Sequence, residues 1–241
     1  MQTPFDPPKK ETSPWVFVGI GCAVVAVLLV IGLVAAAFIA SKKIKQFEAD
    51  MKDPGVRIAK AKEVLGAKQI PAGYYATLSM SIPHLMDLAI LSDRDLVPGE
   101  KKQRAFDERG FIYVKVFGSE ADQQSLRDYF DGKTQDDEAL RRSNIHLDVH
   151  ETIKRGSFEQ DGHKVLYIAQ RGKITFNKEP IDGITTMILI DCTSDQKRRM
   201  AFWFGPDPSP DKAVAETDFT GTPADEAAIR TFLANFEFCG R

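Results

Sequence analysis

Residues able to do catalytic or metal-binding chemistry are few and scattered: four histidines and three cysteines in 241 residues. The densest group is His146, Asp148, His150 and Glu151. Strand alternation puts His146, Asp148 and His150 on one face, offering imidazole and carboxylate to an ion or a proton transfer. Same-face neighbours stand about 7 Å apart, and His146 and His150 about 13 Å, too far for one ion to take both easily. A solvated polar face opposite a core stripe accounts for the pattern better. His150-Glu151 also begins like a zinc-protease helix, but the second histidine is replaced by Lys154. Gly132-Lys133-Thr134 ends like a phosphate-binding loop, yet the glycine needed five residues earlier is Arg127, so a helix C-cap explains Gly132. His84 beside Pro83, and His163 in a turn, read as structural.

There is no G-x-S-x-G elbow, and no C-x-x-C or zinc-spaced Cys/His cluster. No catalytic residue, metal ligand or cofactor is therefore assigned. The aromatic run Phe202-Trp203-Phe204 alternates, with Phe202 and Phe204 on one face and Trp203 on the other. Trp203 either covers the sheet under a helix or stands exposed as a partner-binding anchor. Cys192 and Cys239 form an even pair that suits either a disulfide or two buried thiols.

The elements that must position these residues follow from charge and periodicity. Lys and Arg number 32 against 34 Asp and Glu, a balance that argues against a nucleic-acid partner. Residues 16 to 40 carry no charge at all. At about 1.5 Å per residue such a run spans the roughly 30 Å hydrocarbon core of a bilayer. Trp15 marks one edge, and Lys42 and Lys43 the other. Residues 15–41 are thus expected to be a single transmembrane helix, preceded by a Pro-rich disordered tail, 1–14. The small residues Gly32, Ala36 and Ala40 recur at helical spacing and offer a stripe for a homo-oligomer or a protein partner. Residues 42–69 read as a helical stalk, with Asp53 as N-cap, Pro54 at the first helical position and Gly66 past the end.

From residue 70 to 241 the pattern predicts a soluble α+β domain. Strands are expected at Tyr74–Ile82, with Ala76, Leu78 and Met80 on one face, then at Met86–Ile90 and Phe111–Phe117. A helix capped by Ser119 and closed by Gly132 follows. Next come strands around Ile145–Val149, Phe158 and Val165–Ala169 across an Asp161-Gly162 turn, then Ile184–Cys192 and Met200–Phe204. The closing helix is expected to start with Thr222 as N-cap and Pro223 at N1, burying Ile229, Phe232, Leu233 and Phe236. Short turns make the sheet mostly antiparallel.

This order, from the Gly73-Tyr74-Tyr75 start through the mid-chain helix and the Glu151–Arg171 hairpin to the closing helix, resembles the PsbP-like accessory domains. The resemblance implies an antiparallel sheet covered by helices on both faces and a non-catalytic accessory or binding role. It places no functional residue. The expected function is a membrane-anchored binding or accessory domain. Its rivals are a tethered enzyme built from scattered histidines and carboxylates, and a complex subunit acting through its membrane helix. Six Lys and Arg follow the span within 20 residues and two precede it, which favours a cytoplasmic domain by the positive-inside rule, while pairing of Cys192 with Cys239 would suit the exported side.

Overall fold

The computed structural model describes residues 49–83, 85–95, 104–117, 120–134, 147–176, 179–192 and 197–239. The chain divides into two compact units, Met1–Asp50 and Met51–Arg241, and the second holds every element described below. Among the described residues no helix is long and apolar enough to cross a membrane. The expected span at 15–41, the tail at 1–14 and the Gly32, Ala36, Ala40 stripe lie outside them.

Seven strands form one antiparallel sheet: β1 Tyr75–Ile82, β2 Met86–Ser92, β3 Gly110–Phe117, β4 Leu147–Gln160, β5 His163–Phe176, β6 Glu179–Asp191 and β7 Lys197–Gly205. Their order across the sheet is β1-β2-β3-β7-β6-β5-β4. Two meanders thus meet where β3 pairs with β7. Helices α1 (Pro54–Leu65), α2 (Glu120–Phe130) and α3 (Glu226–Leu233) accompany the sheet, with a short 3-10 turn at Val214–Glu216.

Alternation along the central strands feeds two cores. On one face Phe111, Tyr113, Tyr167, Ile188 and Trp203 pack with Ala61 and Leu65 of α1 and Ile229, Phe232 and Leu233 of α3. On the other, Ile112, Ile168, Met187, Phe202 and Phe204 pack with Leu126, Tyr129 and Phe130 of α2. The sheet is therefore buried on both sides, which is why its central strands read as nearly continuous apolar runs. The guanidinium of Arg127 donates two hydrogen bonds, 2.9 and 2.7 Å, to the Asp191 carboxylate and ties α2 to the end of β6.

Several expectations are corrected. The segment 54–65 is no stalk: Ala61 and Leu65 are fully buried in the first core, so the domain begins near Met51. Its caps are as expected, with Asp53 Oδ1 accepting from the Gly55 and Val56 amides and Gly66 left-handed at φ 63°. In β1 a register shift between Ala76 and Leu78 breaks the alternation. Ala76 faces the first core and Leu78 the second, because one extra residue swaps the faces of all that follow. The N-cap of α3 is Asp225, whose Oδ1 accepts from the Ala227 amide, and not Thr222. Thr222 is held in the preceding turn, where its amide and hydroxyl donate to the Phe219 carbonyl.

β4 and β5 run 14 residues each, far beyond their apolar cores. β4 is an edge strand, and its exposed His150, Glu151, Lys154 and Arg155, with register shifts at Val149/Glu151 and Thr152/Lys154, blunt that edge against pairing.

Candidate functional site

The described chemistry gathers at the end of the sheet that carries the β4–β5 turn and the C-terminal segment. Asp161 and Gly162 both have positive φ, 52° and 77°, as a two-residue type I′ turn requires, so Gln160 and His163 face each other across the hairpin. Alternation then settles their direction. Phe158 and Val165 belong to the first core, so Gln160 and His163, two residues along each strand, lie on that same face. Ile188 and Ile190 of β6 share it, and the next residue in phase is Cys192.

After α3 the chain crosses this end of the sheet. The Glu237 amide donates to the Leu65 carbonyl at 3.2 Å, and Arg199 Nε donates to the Phe238 carbonyl at 2.9 Å. Gly66 makes the crossing feasible, because a side chain there would run into the Glu237 carbonyl. The crossing delivers Cys239 to Cys192, and the two form a disulfide with Cα atoms 5.6 Å apart and a sequence separation of 47. The pairing, open from the sequence, is thus resolved in favour of a bond.

Beside the disulfide lies a cavity of about 370 Å³, lined by Val165, Ile190, Leu233, Phe236 and Phe238 and by the polar Gln160, Asp161, His163 and Glu237. A ring nitrogen of His163 and the sulfurs of Cys192 and Cys239 lie within 4.8 Å of one another. Two polar atoms, Gln160 Oε1 and His163 Nδ1, are buried with no hydrogen-bond partner. Such atoms cost stability unless something satisfies them, and here they belong to residues lining a cavity, part polar and part apolar, of the size that small ligands fill.

The other singled-out residues go elsewhere. Trp203 is 8 % exposed and stacks on Phe232 under α3, centroids 4.6 Å apart, with its Nε1 donating to Tyr74 Oη at 2.8 Å. It covers the sheet beneath a helix, and as an exposed anchor it is ruled out. Burial raises the Tyr74 hydroxyl above its ordinary pKa, and the Trp203 hydrogen bond opposes this in part. His150 and Glu151 are exposed and neither lines the cavity, while His146 and His84 lie outside the described residues. Gly132 is the left-handed cap of α2, and Lys133 Nζ is engaged by Asp128 and Asp131 at 3.3 and 3.0 Å.

His163 and Gln160 went unassigned in the sequence because each looks like an ordinary turn flank. The signal that finds them is register: an Asp-Gly turn fixes which residues of the hairpin share a face with Val165, and the same count along Ile188 and Ile190 reaches Cys192. Neither a protein-family model nor a curated protein matches the chain.

Proposed function

We propose that this protein is a non-catalytic binding domain tethered to a membrane by residues 15–41, and that it holds a small molecule carrying both apolar and polar groups in the cavity beside Cys192–Cys239. The observation that carries this reading is the cavity itself. Val165, Ile190, Leu233, Phe236 and Phe238 line it beside Gln160, Asp161, His163 and Glu237, and two of these polar residues carry the unpaired buried atoms Gln160 Oε1 and His163 Nδ1.

The charge-free run at 16–40 supports the tether. The surplus of Lys and Arg after that run supports a cytoplasmic domain. The test is titration of residues 51–241 with an apolar fluorescent dye such as anilinonaphthalene sulfonate. We expect saturable binding at one site, abolished by Gln160→Trp, whose ring fills the cavity. Dye binding that is absent, or that Gln160→Trp leaves unchanged, contradicts the reading.

A further inference from the structure

We infer that Cys192, Cys239 and His163 form a redox-gated site for a thiophilic cation, Zn²⁺ or Cu⁺, with an open coordination position towards the cavity. The proposal goes beyond the binding of a small molecule: it shares His163 with that reading but rests on the two sulfurs of the disulfide. Two thiolates and an imidazole are the donor set that soft and borderline d¹⁰ cations prefer. Their donor atoms already lie within 4.8 Å of one another. Metal–sulfur bonds of about 2.3 Å at tetrahedral angles ask the two sulfurs to part to about 3.8 Å. Cys239 is only half-buried, so it can make that movement while Cys192 stays in the core.

His163 Nδ1 supplies the second observation, since it is buried and makes no hydrogen bond. Nor does the imidazole stand there by accident of a loop, because the type I′ turn and the strand register fix it opposite Gln160. Three protein ligands leave the fourth position of a tetrahedral cation free, as in sites where a metal meets a small molecule.

The gate follows from chemistry. The disulfide sulfurs cannot both be thiolate ligands, so the oxidised protein has no site. A dithiol reductant attacks Cys239 Sγ, the side exposed to the cavity. The S–S bond breaks, Cys192 leaves as thiolate, and a mixed disulfide forms on Cys239. The reductant's second thiol then displaces Cys239, so the reductant departs as its own disulfide after passing two electrons and two protons to the protein. The cation binds with release of both thiol protons to solvent. In a reducing compartment, where a lasting disulfide is rare, the pair would spend its time as metal ligands.

The experiment uses the full-length chain in mild detergent, reduced with a phosphine and freed of metal. Added Co²⁺ should give one equivalent of binding with thiolate-to-metal charge transfer in the near ultraviolet, displaced by Zn²⁺; a parallel titration with Cu⁺ tells which cation the site prefers. His163→Ala should weaken Zn²⁺ binding at least about tenfold, since even the loss of an outer hydrogen bond to a ligand costs that much. Cys239→Ser should abolish the charge-transfer band, and the air-oxidised protein should show none. Circular dichroism of His163→Ala confirms that its fold is intact. A reduced protein without the band, or one whose band survives in His163→Ala with unchanged affinity, overturns the proposal. If the band is absent while the oxidised protein still binds the apolar dye, the metal site falls and the binding domain stands.

Discussion

Cutting the Cys192–Cys239 link should cost the domain about 4 kcal/mol. The two residues are 47 apart in sequence. Joining them removes from the unfolded chain a loop-closure entropy that grows with the logarithm of that length, worth about 4 kcal/mol at 25 °C for a loop of this size. The segment it closes is no appendage. It contains β7, at the centre of the sheet, and α3, which covers the first core, so global unfolding releases the whole segment and the bond then restricts it. Urea unfolding of residues 51–241, oxidised against Cys239→Ser, measures the effect by circular dichroism. With a denaturant slope of about 2 kcal/mol per M, the midpoint should fall by about 2 M. Reduction of the parent without metal should give the same fall, and Zn²⁺ should restore part of it. A shift under about 0.5 M would mean that the bond adds nothing the native contacts do not, and the reasoning fails.

Phe232 sits among Tyr74, Phe111, Trp203 and Phe236 at centroid distances of 4.6 to 5.4 Å. Phe232→Ala should cost about 3–5 kcal/mol, and together with Phe236→Ala should abolish the cooperative melt recorded by circular dichroism. Arg171 Nε and Asp207 Oδ2 form an ion pair at 2.6 Å with side chains 12 % and 5 % exposed, and the same guanidinium donates to the Lys212 carbonyl. Arg171→Ala leaves Asp207 buried without its partner, a loss of about 3–5 kcal/mol, and should speed proteolysis within residues 206–222. Burial alone would raise the Asp87 carboxyl, but hydrogen bonds from Lys115 and Ser81 prevail and hold it below the usual carboxylate range. A depressed folded pKa stabilises above the unfolded value of about 3.9 and loses that contribution as pH falls through the folded one. Asp87→Asn should therefore melt lower at pH 7, and the two melting curves should converge in acid.

Much of the fold was legible because the core strands are apolar runs bounded by turns that carry their usual residues. Asp53-Pro54 with Gly66, the Asp161-Gly162 turn and the face of α3 at Ile229, Phe232 and Leu233 appear where the sequence puts them. What escaped has physical causes. The shift after Ala76 is a single unpaired residue, which period-two counting cannot register. β4 carries charge along an exposed edge and so lacks the apolar rhythm that marks a strand. Phe106, 3 % exposed, lies in a charged stretch that reads as loop, yet its ring packs edge-on against Phe204 at 4.8 Å. Gly110 shows the same packing in reverse, since both rings occupy the space a side chain would need. The site was the least legible part, because Gln160, His163, Cys192 and Cys239 come from three separate stretches that only sheet register and the crossing after α3 unite.

The most direct test of the binding role is native mass spectrometry of the full-length protein purified from its native cell, beside the Gln160→Trp variant prepared in the same way. The parent should carry one small molecule whose mass adduct is lost on denaturation, and the variant should lack it. A parent with no adduct, or an adduct that survives in Gln160→Trp, would contradict a domain that works by holding a molecule in the cavity beside Cys192 and Cys239.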